Sequence, residues 1–302
     1  MGLKTCFTDH SLFGFADYND MILNRATKQL LEGIHAAITV SHCGKDNLAL
    51  RANIPPEKIY VIPNSVDTKR FTPNPSMRSP INTVNIVSIC RLTYRKGVDL
   101  LVMIIPEIIR LHPNVHFIIG GDGPKMPLLK EMIDKYNISD KVELLGFLDH
   151  SQVRGVLCRG HIFLNTSLTE AFCIAILEAA SCGLLCVSTN VGGVPEVLPP
   201  DIIWLAPCKP RPMIEKLQAA ISKHKSIDST KIHETVKKLY SWHNVAEQTE
   251  TVYKGAMEQQ RLSWLSVIKV KLSIGPIFGF ISLAIHFLMT IMFYLLDIMV
   301  PV

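Results

Sequence analysis

Short apolar runs alternate with amphipathic helical patterns along most of this chain, and that alternation restricts its fold more than any other feature. The runs Ala36–Ser41, Ile59–Ile62, Thr83–Ile89, Val115–Gly120, Val142–Leu145, Ile162–Asn165, Cys186–Ser188 and Ile202–Leu205 read as strands. Between them Val98–Leu111, Lys125–Lys135, Phe172–Cys182 and Met213–His224 repeat apolar residues at helical spacing. Strands that are short, apolar throughout and separated by helices belong to a parallel sheet covered on both faces. The expectation is an α/β protein in which residues 83–225 form a complete doubly wound domain. Residues 1–65, with one further strand-like run at Gly2–Thr8, carry too few strands for a second domain of that kind and read as a partial lobe. Residues 66–82, rich in Pro, Asn and Ser, read as a linker.

The rhythm ends in a different kind of segment. From Leu272 to Leu296 there is no formally charged residue, and His286 is the one side chain that ordinarily titrates near neutral pH. A helix of that length reaches about 38 Å, more than the roughly 30 Å hydrocarbon core of a bilayer. Globular helices keep a polar stripe, and this segment has none. Arg261, Lys269 and Lys271 precede it while Asp297 follows it. The basic flank predicts a single-pass anchor at 272–296, with the large N-terminal portion cytoplasmic and 297–302 as a short lumenal tail. Residues 226–271 read as C-terminal helices and a juxtamembrane segment. Met1 leads directly into the first apolar run, without the charged opening of a secretory signal.

Composition narrows the function classes. A net charge of +5 with scattered Lys and Arg gives no basic patch, so no nucleic-acid partner is expected. The eight cysteines show no CxxC pair and no Cys/His ligand spacing, which reads as reduced, buried thiols without a metal. Asn137-Ile138-Ser139 and Asn165-Thr166-Ser167 fit the N-glycosylation pattern, but the expected topology keeps both cytosolic.

Four motifs stand where strands hand over to helices, the ligand-binding edge of an open α/β sheet. Arg91-Leu92-Thr93-Tyr94-Arg95-Lys96-Gly97 follows a strand. Arg91 offers a planar two-point contact to phosphate oxygens and Lys96 a point charge, an unfavourable pair at a helix start unless an anion is bound there. Gly120-Gly121-Asp122-Gly123-Pro124 is either a tight turn or a ligand contact, and the same choice applies to Gly192-Gly193-Val194-Pro195-Glu196. Glu170 and Glu178 lie eight positions apart around a helix start at Phe172. That separation is about 12 Å along a helix, too far for the carboxylate pair of a glycosidase. The two acids therefore serve separate parts of one extended ligand, with the unpaired N–H groups between them as a seat for a diphosphate. Read alone, the acids fit a capped amphipathic helix equally well. His10, after the N-terminal strand, reads alone as structural.

Together, RLxxxKG, GGDGP, Ser167-Leu168-Thr169-Glu170 with Glu178, and VGGVPE resemble, in order and spacing, the retaining GT-B glycosyltransferases of family GT4. Phe7–Gly14, Val61–Asp67 and His161–Ser167 extend the resemblance over nearly the whole chain. It implies a GT-B-like fold with a complete C-terminal Rossmann-like donor domain, a partial N-terminal Rossmann-like lobe and the C-terminal transmembrane helix. It further implies UDP-GlcNAc as donor, phosphatidylinositol as acceptor, and no cofactor or metal. The implied place is the endoplasmic reticulum membrane, beside other subunits of the transferase complex that begins GPI-anchor synthesis. By carry-over, Arg91 and Lys96 grip the diphosphate with help from the backbone of Phe172 and Cys173, and Gly121 lines the donor site. Glu178 holds the ribose, Glu170 holds the sugar hydroxyls, and His10 approaches the donor sugar from the other lobe. Family members often carry glycine where Ala171 and Cys173 stand here, and small side chains are expected to fit. The family's N-terminal lobe begins well before the equivalent of Met1, so the chain resembles a truncated form. The alternative is a non-catalytic isoform that binds UDP-sugar or complex partners without transferring sugar. A nicotinamide oxidoreductase is disfavoured, since no GxGxxG follows the first strand of a domain.

Overall fold

The computed structural model describes residues 4–14, 17–31, 33–78, 83–259, 264–272 and 275–299. The chain divides into two compact units, residues 1–63 with 246–302, and residues 64–245.

In the first unit, strand β1 (Cys6–Asp9), helix α1 (Tyr18–Leu30), strand β2 (Ala36–Thr39), helix α2 (His42–Ala52) and strand β3 (Ile59–Val61) form a three-stranded parallel sheet in the order β1-β2-β3. The first strand starts later than the expected Gly2–Thr8 run, whose opening two residues fall outside the described part. Leu31, Ile34, Ala37, Leu48, Ala52, Ile54 and Ile59 make its small apolar cluster. Arg51 on α2 forms a buried ion pair with Asp9 at the end of β1, and its guanidinium also covers the Phe13 ring at 4.5 Å.

The second unit holds the larger fold. Strands β4 (Val84–Ile89), β5 (Val115–Gly120), β6 (Val142–Gly146), β7 (Ile162–Asn165), β8 (Leu185–Thr189) and β9 (Ile203–Ala206) make one parallel sheet in the order β6-β5-β4-β7-β8-β9. Helices α3 (Val98–Leu111), α4 (Met126–Tyr136), α5 (His150–Cys158), α6 (Ile174–Ser181), α7 (Pro210–Lys223) and α8 (Ser229–Leu239) accompany it. The core explains the strand pattern: Ile86, Phe117, Ile119, Leu164 and Val187 are almost fully buried, as are Leu101, Ile104, Ile105 and Ile108 on α3. The order reverses between β4 and β7. The chain leaves β4 toward β5 on one side and leaves β7 toward β8 on the other, which opens a crevice at their C-terminal ends.

The stretch read as a linker is tied into this second unit over its described part. Phe71 is 1% exposed and its carbonyl accepts from Ser181 Oγ at 2.6 Å. Arg154 donates to both the carbonyl and the hydroxyl of Thr72, and Arg78 donates to Gly183 O and Ser229 Oγ. Residues 79–82 lie outside the described part.

Helix α9 (Trp242–Glu258) is followed by α10 (Trp264–Leu272) and α11 (Pro276–Met299). Within the first unit, Gln259 Nε2 donates to His35 O at 3.0 Å, so residues after α9 return to the N-terminal sheet. Ile277–Leu296 has a mean hydropathy of 2.0 and is long and apolar enough to cross a membrane. The span therefore begins later than the expected Leu272. Gly275, at φ +121°, breaks the helical path, and Pro276 opens α11 where a missing N–H costs nothing. Helix α11 continues to Met299, while 300–302, part of the expected tail, lie outside the described residues.

Ile104→Ala, at a fully buried position on α3, is expected to cost about 2–5 kcal/mol. Urea unfolding of the full chain, followed by far-UV circular dichroism, reads this as an earlier midpoint.

Candidate functional site

Four loops meet at the C-terminal ends of β4, β5, β7 and β8, and backbone contacts lace them together. Cys90 N donates to Gly120 O, Leu92 N to Asp122 O, and Lys125 N to Leu92 O. Leu168 N donates to Arg95 O, Thr166 Oγ1 to Lys96 O, and Gly193 N to Glu170 O. Glycines allow two of these approaches. A Cβ at Gly97 would stand 1.8 Å from Thr166 O, and one at Gly121 would stand 1.8 Å from Cys90 O. Both residues also have positive φ, +68° and +125°, which glycine adopts without strain. Gly121 thus has a packing reason to be glycine whether or not it touches a ligand.

This lacing brings Lys96, from the loop after β4, onto Glu170, from the loop after β7. Their ion pair measures 2.5 Å, with the side chains 24% and 12% exposed. Ser167 Oγ lies 2.8 Å from Glu170 Oε1 and 2.9 Å from Asn165 Oδ1, so its single proton serves one acceptor at a time. Asn165 itself is buried and donates to Ser188 Oγ at 2.8 Å, which makes it inaccessible for glycosylation. Burial works to lower the Lys96 pKa, but the charge and hydrogen bond of Glu170 outweigh it and the ammonium is held above its ordinary range. Two thiols flank the pair. Burial pushes Cys90 up to about 11 and Cys173 up to about 12, so both stay protonated and unreactive at neutral pH.

The helix expected to open at Phe172 opens at Ile174, two residues later. Cys173 is the reason: at φ 78°, ψ 79° it is left-handed and stands as the cap of α6. This is a backbone state that favours glycine, and a buried cysteine occupies it here. Phe172 is buried, packing edge-on against Tyr240 with ring centroids 5.9 Å apart. At the start of α6 the Ile176 N–H bonds back to Cys173 O at 3.2 Å, which leaves the N–H groups of Ile174 and Ala175 as the donors that a helix start offers to a ligand.

Glu178 lies one turn into α6 and keeps different company. Its Oε1 is 3.0 Å from Nε2 of His150, the first residue of α5. Burial raises the Glu178 pKa, opposed by the hydrogen bond and charge of His150 and by the charge of Arg70. Arg91 stands at the end of β4 with an exposed side chain. His10 follows β1 in the first unit and is exposed. The structure therefore gathers Lys96, Glu170 and Cys173 closely, sets Glu178 beside His150 along the same helix, and leaves Arg91 at the rim.

Sequence pattern does not single out His150 or Phe71. His150 is separated from Glu178 by 28 positions and matches no spacing rule. One signal is present: Asp149 and Gln152 form a capping box, which places a helix start directly after a strand and thus at the ligand edge.

A parallel sheet of this order is the doubly wound nucleotide-binding fold, here with a cation–carboxylate pair and a helix start at its switch point, and its likeness to known proteins makes it the GT-B-like glycosyltransferase form of that fold. The family profile described as "Glycosyl transferases group 1" matches residues 77–238, and "Glycosyltransferase Family 4" matches residues 1–70. The chain is 50% identical over its whole length to a phosphatidylinositol N-acetylglucosaminyltransferase subunit of Arabidopsis thaliana, of which it covers 67%. Over 84% of its length it is 52% identical to the human subunit of the same name, covering 52% of it. Among solved structures, Anabaena HepE in complex with UDP and glucose matches with a TM-score of 0.71 at 19% identity, over 83% of this chain and 71% of HepE. The chain belongs to the family of these phosphatidylinositol N-acetylglucosaminyltransferase subunits, within the group 1 glycosyl transferases. It spans about half to two thirds of the length of these curated relatives.

Gly97→Ala forces the loop carrying Lys96 away from Thr166, and is expected to destabilise the second unit by about 2 kcal/mol or more. Thermal melting of the variant against the parent chain measures it.

Proposed function

We propose that this chain carries the donor site of a retaining glycosyltransferase that moves N-acetylglucosamine from UDP-GlcNAc to phosphatidylinositol, the first step of GPI-anchor synthesis. The Lys96–Glu170 pair at the switch point is the observation that carries the reading. A diphosphate arriving at the start of α6 meets Lys96, the N–H groups of Ile174 and Ala175, and Arg91 reaching in from the rim. Positive charge fixed there before the reaction neutralises the departing nucleotide without reorganisation. Lys96 then exchanges one anion for another, and Glu170 is released to accept hydrogen bonds from the sugar hydroxyls. Glu178, further along the helix, accepts from the ribose. The protonated thiols of Cys90 and Cys173 add no competing nucleophile. Attack from the same face, with the leaving phosphate taking the acceptor proton, retains configuration and needs no protein nucleophile. His10 has its part, approaching the donor sugar, from family likeness alone.

The names of the curated relatives and the apolar α11 support a membrane setting and a place in a multi-subunit complex. The endoplasmic reticulum, with the residues before α11 on the cytoplasmic side, fits the basic residues Lys269 and Lys271 that precede that helix.

Titration of the detergent-solubilised chain with UDP-GlcNAc, UDP-glucose and GDP-mannose tests the donor assignment. UDP-GlcNAc is expected to bind tightest, and equal binding of all three would remove the assignment. Lys96→Ala is expected to weaken UDP-GlcNAc binding by about ten-fold or more, the loss of one charge-assisted contact to phosphate. Adding the purified chain to microsomes that lack the enzyme distinguishes transfer from donor binding without transfer. Restored GlcNAc-phosphatidylinositol supports the first.

A further inference from the structure

Glu178 is nearly enclosed, with its side chain 12% exposed, yet the imidazole paired with it is 61% exposed. The pairing is built from three directions. Asp149 and Gln152 fix the start of α5 and so fix where His150 projects. The Phe71 ring packs against the imidazole, with centroids 5.5 Å apart and planes at 55°. Phe71 is in turn held by Ser181 Oγ, one turn beyond Glu178 on α6, while Thr72 is held by Arg154 on α5. The segment around 71 therefore ties α5 to α6 and keeps the imidazole on one carboxylate oxygen.

A carboxylate has about four acceptor positions on two oxygens. His150 engages Oε1, and no protein partner holds Oε2 among the described residues. We infer that His150 is the positioning residue of the ribose subsite: its Nε2–H holds Oε1 of Glu178 so that Oε2 faces the vicinal diol of a nucleoside diphosphate. The inference rests on the donor-site reading above, and adds to it a residue that makes the subsite selective for ribose.

The electrostatics run the same way. Burial disfavours the charged form of Glu178, and His150 and Arg70 favour it. Cys182, the C-cap of the same helix, also neighbours Glu178, but its thiol stays protonated through its hydrogen bond with Cys158 and through burial. Removing His150 leaves Arg70 as the remaining charge that favours ionisation, so the carboxyl pKa rises further. Diol binding to the carboxylate is then lost at a higher pH as the solution is acidified.

The test compares UDP with 2′,3′-dideoxy-UDP and inorganic pyrophosphate, by calorimetry on the full chain in detergent. The parent is expected to prefer UDP over the dideoxy analogue by about ten-fold or more, as one hydrogen bond to a charged group supplies. In His150→Ala that preference is expected to fall to about two-fold or less, the acid limit of UDP binding moves up in pH, and pyrophosphate binding is unchanged. His150→Gln, which keeps an N–H donor, restores part of the preference and guards against a variant that simply fails to fold. A full preference for UDP in His150→Ala overturns the inference while leaving the donor site standing. Equal losses for UDP and pyrophosphate overturn it too, since His150 would then act on the whole site. No binding of UDP by the parent chain overturns the donor-site reading and this inference with it.

Discussion

The site depends on one approach of backbone to backbone, Gly97 against the carbonyl of Thr166. Only a residue without a Cβ lets the loop after β4 lie on the loop after β7, and that contact sets Lys96 opposite Glu170. A lysine near a helix start is electrostatically misplaced. Glu170 corrects this from within the protein, and in the proposed reading a bound diphosphate takes over that part. The fold keeps the cation partly desolvated and paired.

The two carboxylates on either side of the α6 start are handled by opposite means. Glu170 has a cation of fixed charge and a serine hydroxyl. Glu178 has an open histidine and a more distant arginine, in a setting where burial disfavours its charge. The first is a closed ion pair; the second is a carboxylate held by His150 through one oxygen. This difference matches the roles proposed for them, since a diphosphate competes for Lys96 while a neutral diol needs only an oriented acceptor.

The first unit is organised around another buried ion pair, Arg51 with Asp9, and its guanidinium on Phe13. Removing either partner of such a pair leaves a buried charge uncompensated. The pair therefore pins the start of the loop that carries His10. Residues beyond α9 rejoin this unit, so the apolar helix belongs with the small sheet and not with the second unit that precedes it in sequence.

The fold class and the strands of the large sheet are legible in the sequence, because a strand buried on both faces is apolar at most of its positions. The cations at 91 and 96 stand out in the sequence, because positive charge at a helix start is unfavourable without an anion, whereas the acids at 170 and 178 stand out only through the family resemblance. Sequence pattern misplaces the helix start by two residues, because it does not show that Cys173 adopts a left-handed backbone. It places the apolar span too early, because hydropathy runs smoothly through Gly275 and Pro276 while the backbone does not. Only the tertiary structure decided that Lys96 meets Glu170, that His150 meets Glu178, and that the 66–78 segment belongs to the second unit. Those pairings join residues 28 to 110 positions apart, and local pattern carries no information about contacts made by folding over such distances.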